Sequence, residues 1–202
     1  MPTTSSHLLT GEEAMATHLI LRVVAFAETM RIIPRTEEPG TDLEMFDEAV
    51  RGLARLGVAQ HINRISGRDR SAQQLARVAT AVLSAIDDSP IPQAEWGPLS
   101  EFLGEELPAL LGISASSLTR YRSGERTTPD AVAARLHVIA QLVSDLAGSY
   151  NDFGVRRWFG RPRQALDGRA PNSIFSGDWS PDDADVARVR ALAQALLGAA
   201  VG

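Results

Sequence analysis

The chain has 202 residues with no cysteine and no lysine, so every one of its 20 Lys-or-Arg cations is arginine; 25 acids bring the formal charge to −5. Hydrophobic content of 44% with 22% charged residues is too apolar for a disordered chain, and the missing cysteines exclude a disulfide scaffold, thiolate zinc sites and a cysteine nucleophile. The longest apolar stretch, Leu19 to Ile33, is broken by Arg22, Glu28 and Arg31, so no membrane span is expected and the protein reads as soluble and cytoplasmic.

Almost all the periodicity is helical. Ala16, Leu19, Ile20, Val23, Val24, Ala27 and Met30 recur at three-and-four spacing between Gly11 and Ile33, and Pro34 ends the run. Residues 36–41 (TEEPGT) read as a turn, from which Thr41 caps a second helix with Glu44 at the capping-box position. Its apolar face runs from Leu43 through Phe46, Val50 and Leu53 to Leu56, and Gly57 stops or kinks it before Val58–Ile65. Ser71 caps a third helix carrying Leu75, Ala79, Val82 and Ile86. Residues 87–98 hold three prolines and a glycine and read as a linker, which divides a helical N-terminal extension (1–90) from the rest, with 91–98 as the boundary.

Beyond it, short helices are expected at Leu99–Leu103, Pro108–Leu111 and Ser114–Arg122, then a long one from Pro129 to Ala147 with Thr128 as its cap. Residues 148–180 read as irregular. A last helix follows Ser180, with Asp182, Asp183 and Asp185 against the positive end of its dipole. No convincing strand is present, so the fold class is all-α, with units at 1–90, 99–147 and 148–202.

Charge is unevenly placed. Residues 1–100 carry a net −4, whereas Ser117 to Ala170 holds nine arginines against five acids. An arginine-only cation set fits a GC-rich coding bias, yet each such side chain is also a planar fork suited to phosphate and guanine. A net-negative chain is no general polyanion binder, so a nucleic-acid surface has to be local.

Residues 104–123 (GEELPALLGISASSLTRYRS) have the spacing of a helix-turn-helix. Gly112 sits where the turn needs a left-handed backbone, and Leu107, Leu111, Ile113, Leu118 and Tyr121 fill the apolar positions. Pro108 requires a short first helix starting near Leu107. Ser114 caps the second, and the candidate DNA-contacting set is Ser114, Ser116, Ser117, Thr119 and Arg120, flanked by Arg122 and Arg126 for phosphates. No acid interrupts Ser114 to Gly124. A single such helix binds weakly, so a homodimer on two half-sites of double-stranded DNA is expected. The bland alternative is an ordinary helix pair in a bundle.

The run LGISASSLTRYRSGERTTP, followed by a helix and then WFGRPRQALDGRAP, resembles the Xre/MbcA/ParS-type antitoxins, partners of RES-domain toxins, over about residues 98–202. Trp158, Phe159, Pro162, Leu166, Gly168, Arg169 and Pro171 supply that family's C-terminal motif in order. The resemblance implies two activities, repression of the operon's own promoter and occlusion of a toxin that degrades NAD. It makes Trp158, Arg161, Arg163 and Arg169 candidate contacts to a RES-type toxin. Read from the residues alone, Trp158 and Phe159 are core anchors, and Arg169 is either a structural ion-pair member or a partner contact. The terminal LLGAAVG is a small, uncharged tail able to enter a pocket, or simply a frayed end.

The 90-residue extension departs from the simplest members of that family. It reads as a dimerisation unit or a small-molecule sensor, and Gln60–Arg70 within it as a solvated loop or a secondary DNA contact. The alternative to an antitoxin is therefore a stand-alone transcription regulator. His7, His18, His61 and His137 have no metal-ligand spacing, and no GxSxG or phosphate-binding loop occurs, so neither catalysis nor a cofactor or metal is expected.

Overall fold

Each of the first three helices begins at a hydroxyl that accepts a hydrogen bond from the backbone N–H three residues on: Thr10 from Glu13, Thr41 from Glu44 and Ser71 from Gln74. At Thr10 and Thr41 the glutamate returns a bond to the cap's own N–H, completing the box. These starts belong to a computed structural model that describes residues 10–35, 41–62 and 71–200, with side chains as far as Leu196. The expected turn at 36–40, most of Gln60–Arg70 and the last two residues of the LLGAAVG tail lie outside the described residues, while the backbone of 196–200 continues the last helix.

The described residues are all-helical. The N-terminal unit comprises α1 (Gly11–Thr29), α2 (Asp42–Arg55) and α3 (Ala72–Asp87). Next come α4 (Pro92–Leu103), a 3-10 turn, α5 (Leu107–Leu111), α6 (Ala115–Arg122) and α7 (Asp130–Ala147). The chain closes with α8 (Asp152–Phe159), a second 3-10 turn, α9 (Pro171–Ile174) and α10 (Ala184–Ala200). None of the described helices is long and apolar enough to cross a membrane.

Three expectations need correction. The first helix stops at Thr29, not Ile33, because Arg31 takes the left-handed closing position at φ +56° and the Ile32 N–H turns back to the Ala27 carbonyl. The linker expected at 91–98 is the first half of α4. Pro92 lies in the first turn, where a missing N–H costs nothing, and burial of Trp96, Pro98 and Leu99 holds the helix together past the interior proline. The region 148–180, expected to be irregular, is interrupted by two short helices, α8 and α9, and a 3-10 turn, and the rest of it is turns and irregular chain.

α7 is the centre of the molecule. Leu136, Ile139, Ala140, Leu142, Val143 and Leu146 are fully buried, and α1, α4, α8 and α10 pack around it. The buried side chains from Ala16 to Ala193 form one continuous core, shared by the three units drawn from the sequence. A polar seam runs through it. Glu95, fully buried on α4, hydrogen-bonds His137 Nδ1 on α7, whose Nε2 meets the Ile86 carbonyl at the end of α3 at 2.7 Å. Gln141 and Arg190 both donate to Asp87 at 2.7 Å, joining α7 and α10 to the same corner. Pairing makes such buried polar groups tolerable, although Glu95 Oε2 has no hydrogen-bond partner among the described residues.

Candidate nucleic-acid interface

The turn before α6 is built as its residues require. Gly112 has φ +66° and ψ 33°, the left-handed conformation that glycine adopts at no steric cost. Leu107, Leu110 and Leu111 are buried from one side, Leu118 and Tyr121 from the other, and Ile113 is half-buried between them. Ser114 caps α6, its Oγ accepting from the Ser117 N–H at 3.1 Å and donating to the Ser117 hydroxyl at 3.0 Å. Those two hydroxyls are therefore engaged in starting the helix. Ser116 and Thr119 lie on the exposed side, although Thr119 Oγ1 bonds back to the Ala115 carbonyl at 3.1 Å.

The inner face of α6 rests on α4. Trp96 stacks on Tyr121 with ring centroids 6.0 Å apart, and its indole N–H donates to Thr128 Oγ1 at 3.0 Å. That bond engages the hydroxyl expected to cap α7, which begins one residue later, at Asp130 after Pro129. The outer face carries Arg120 and Arg122, with Arg126 beyond the helix end after the exposed Glu125; all three arginines are exposed, and no carboxylate among the described residues pairs with any of them. The Arg126 guanidinium lies 5.7 Å from the Tyr121 ring centroid, which restricts where its charge points.

The other arginines of the basic middle have different environments. Arg135 is occupied by the Trp179 carbonyl at 2.7 Å and by Asp178, and Arg156 by the Phe102 carbonyl at 2.9 Å. Trp179 in turn donates its indole N–H to the Leu110 carbonyl at 2.9 Å, so the segment after α9 is fastened directly to α5. Sequence reasoning missed Trp96 and Trp179 as the side chains that seat α6 and α5.

The candidate toxin-contacting residues separate. Trp158 is 2% exposed and cannot be a surface contact; it stands edge-on to Phe159 in an aromatic row that continues to Phe175 and Trp179. Arg169 bonds Asp185 at 2.8 Å, while Arg188 reaches Asp167 at 2.8 Å and Asp185 at 3.3 Å. The hydrogen bonds from Arg188 and Arg169 hold the Asp167 and Asp185 carboxyls below their ordinary range. Arg169 is thus an ion-pair member joining the 163–169 loop to the start of α10. Arg161 is exposed without a carboxylate partner among the described residues, and Arg163 lies with its guanidinium 5.1 Å from the Trp158 ring centroid. No group of His, Asp and Glu placed to hold a metal occurs among the described residues.

Comparisons with family models, with curated proteins and with solved structures returned no match.

Proposed function

We propose that this protein is a sequence-specific DNA-binding regulator that inserts α6 into the major groove. The single observation carrying this reading is the outer face of α6, acid-free from Ser114 to Gly124, whose Arg120 and Arg122, with Arg126 beyond the helix end and past Glu125, pair with no carboxylate among the described residues; Trp96 seats the helix from behind. Eight residues at 1.5 Å each give a helix about 12 Å long, which suits a major groove about 12 Å wide. Arg120 contacts base edges, Arg122 and Arg126 hold phosphates, and Ser116 and Thr119 allow close approach. The protein acts as a homodimer, because one short helix provides too few contacts for an operator. Selection from a random duplex library is the test: recovery of a reproducible paired motif supports this reading, and recovery of unrelated sequences refutes it.

A second reading adds to the first. Among the described residues Arg161 and Arg163 have no acidic partners, beside the motif that resembles the RES-type antitoxins, and the buried Nε of Arg163 has no hydrogen-bond acceptor. In this reading the C-terminal segment also neutralises a RES-type toxin, through these two arginines. Co-expression with such a toxin should permit growth for the natural chain and not for the Arg161→Glu, Arg163→Glu double variant. Equal rescue by both would remove the toxin contact from this surface.

A further inference from the structure

A cleft of about 660 Å³ opens where the end of α1 meets α4, the end of α7 and the start of α8. Ligand sites are typically clefts of about 300–1,000 Å³ with an apolar floor and a few charged groups. Here Ala25, Ile33, Phe102 and Ala147 supply the apolar lining.

The charge around that lining is unbalanced. Glu28, Glu101 and Asp152 face Arg31 and Arg35. Arg31 and Glu101 are committed to each other through a two-pronged ion pair. The backbone carbonyl of Glu28 accepts from the Arg31 N–H at 3.0 Å, but its carboxylate makes no hydrogen bond among the described residues. Burial pushes its carboxyl above the ordinary value, and Arg35 only partly offsets that. The end of α7 adds to the negative potential. Ser149 and Tyr150 both return their N–H groups to the Leu146 carbonyl at 2.9 Å, so the Ala147 and Gly148 carbonyls gain no backbone partner among the described residues. A helix C-terminus carries about half a negative charge. Phe102, half-buried, offers a ring to a cation.

We infer that this cleft binds a small organic cation, an apolar body bearing an ammonium-type or phosphonium-type charge. The charge sits against Glu28 and the α7 carbonyls, and the body rests on Phe102, Ala25 and Ala147. Arg31 is paired with Glu101 and Arg35 offsets one further carboxylate, so the three acids and the α7 carbonyls leave a surplus of negative charge, which favours the cation over an anion.

Tetraphenylphosphonium and tetraphenylborate have nearly the same size and shape and opposite charge, so they separate this site from nonspecific apolar binding. Calorimetric titration of the full chain should show one saturable phosphonium site, with the borate binding at least about tenfold more weakly, a difference of about 1.4 kcal/mol. Glu28→Gln should weaken the phosphonium about tenfold. Ala25→Leu, which narrows the cleft without touching its charge, should weaken it as well. Circular dichroism matching the natural chain confirms that both variants are folded. No phosphonium binding, equal binding of the borate, or affinity unchanged in both variants would overturn the assignment.

Discussion

Arg120 is exposed on the outer face of α6, and no carboxylate among the described residues pairs with its guanidinium. If it reads a base, Arg120→Ala should weaken operator binding by about 1–3 kcal/mol and relax the preference at one position of the site. Arg122→Ala should instead weaken all sequences alike and lower the slope of log affinity against log salt by about one. Fluorescence anisotropy at two salt concentrations distinguishes the two roles. Gly112 is a second position where one atom matters. A Cβ there would lie 2.8 Å from the Gly177 carbonyl oxygen and 3.1 Å from Arg135, on a backbone already at φ +66°. Gly112→Ala should therefore cost about 1–3 kcal/mol of stability in urea unfolding. That glycine was legible in the sequence, because a turn between two short helices needs its conformation. Its contact with residue 177 was not, because nothing local links positions so far apart.

At the scale of elements, capping chemistry and apolar spacing were readable and the proline-rich segment was misleading. Thr41, Ser71 and Ser114 start helices because their hydroxyls satisfy orphan N–H groups, a purely local effect. Residues 87–98 look like a linker by composition, yet Trp96 and Leu99 gain enough by burial to offset the helix bond that Pro98 cannot make. α4 is thus the support of α6. Trp96→Phe keeps the stacking and loses the bond to Thr128, an expected cost of about 1 kcal/mol. Trp96→Ala removes both and should cost about 3–5 kcal/mol. α1 brings a pH dependence. Burial, and then Arg22, hold the His18 imidazole below its ordinary value of 6.5. The unfolded chain takes up this proton near pH 6.5 and the folded chain only lower, so stability should fall as the pH drops through that interval. Asp145 acts with the opposite sign: burial raises its carboxyl above the ordinary 3.8 against the pull of Arg22, so the folded chain takes its proton first as the pH falls. Comparing urea midpoints at pH 7.5 and pH 5.5 should show a smaller loss for His18→Gln than for the natural chain. An equal loss in both would discount His18.

For the molecule as a whole, the three units drawn from the sequence share one core, so they should unfold together. Far-ultraviolet circular dichroism and tryptophan fluorescence should give coincident urea transitions, since the three tryptophans lie in α4, in α8 and after α9. Two separated transitions would indicate independent units. The same packing means that a chain cut before Ser149 loses Phe159, Phe175, Trp179, Val186 and Val189 from the core around α7, so truncation cannot isolate the proposed DNA-binding helix α6 in a folded chain. Point substitution is required instead, and the absence of cysteine makes one form of it direct. A single cysteine introduced as Ser116→Cys, carrying a tethered iron chelate, should cleave duplex bound by the protein at positions facing the major groove inside the selected motif. The same chelate carried by Phe153→Cys, at the most exposed aromatic side chain (64%), should not cut there. Cleavage of the motif from position 153 and not from position 116 would contradict the assignment of α6 as the DNA-reading helix.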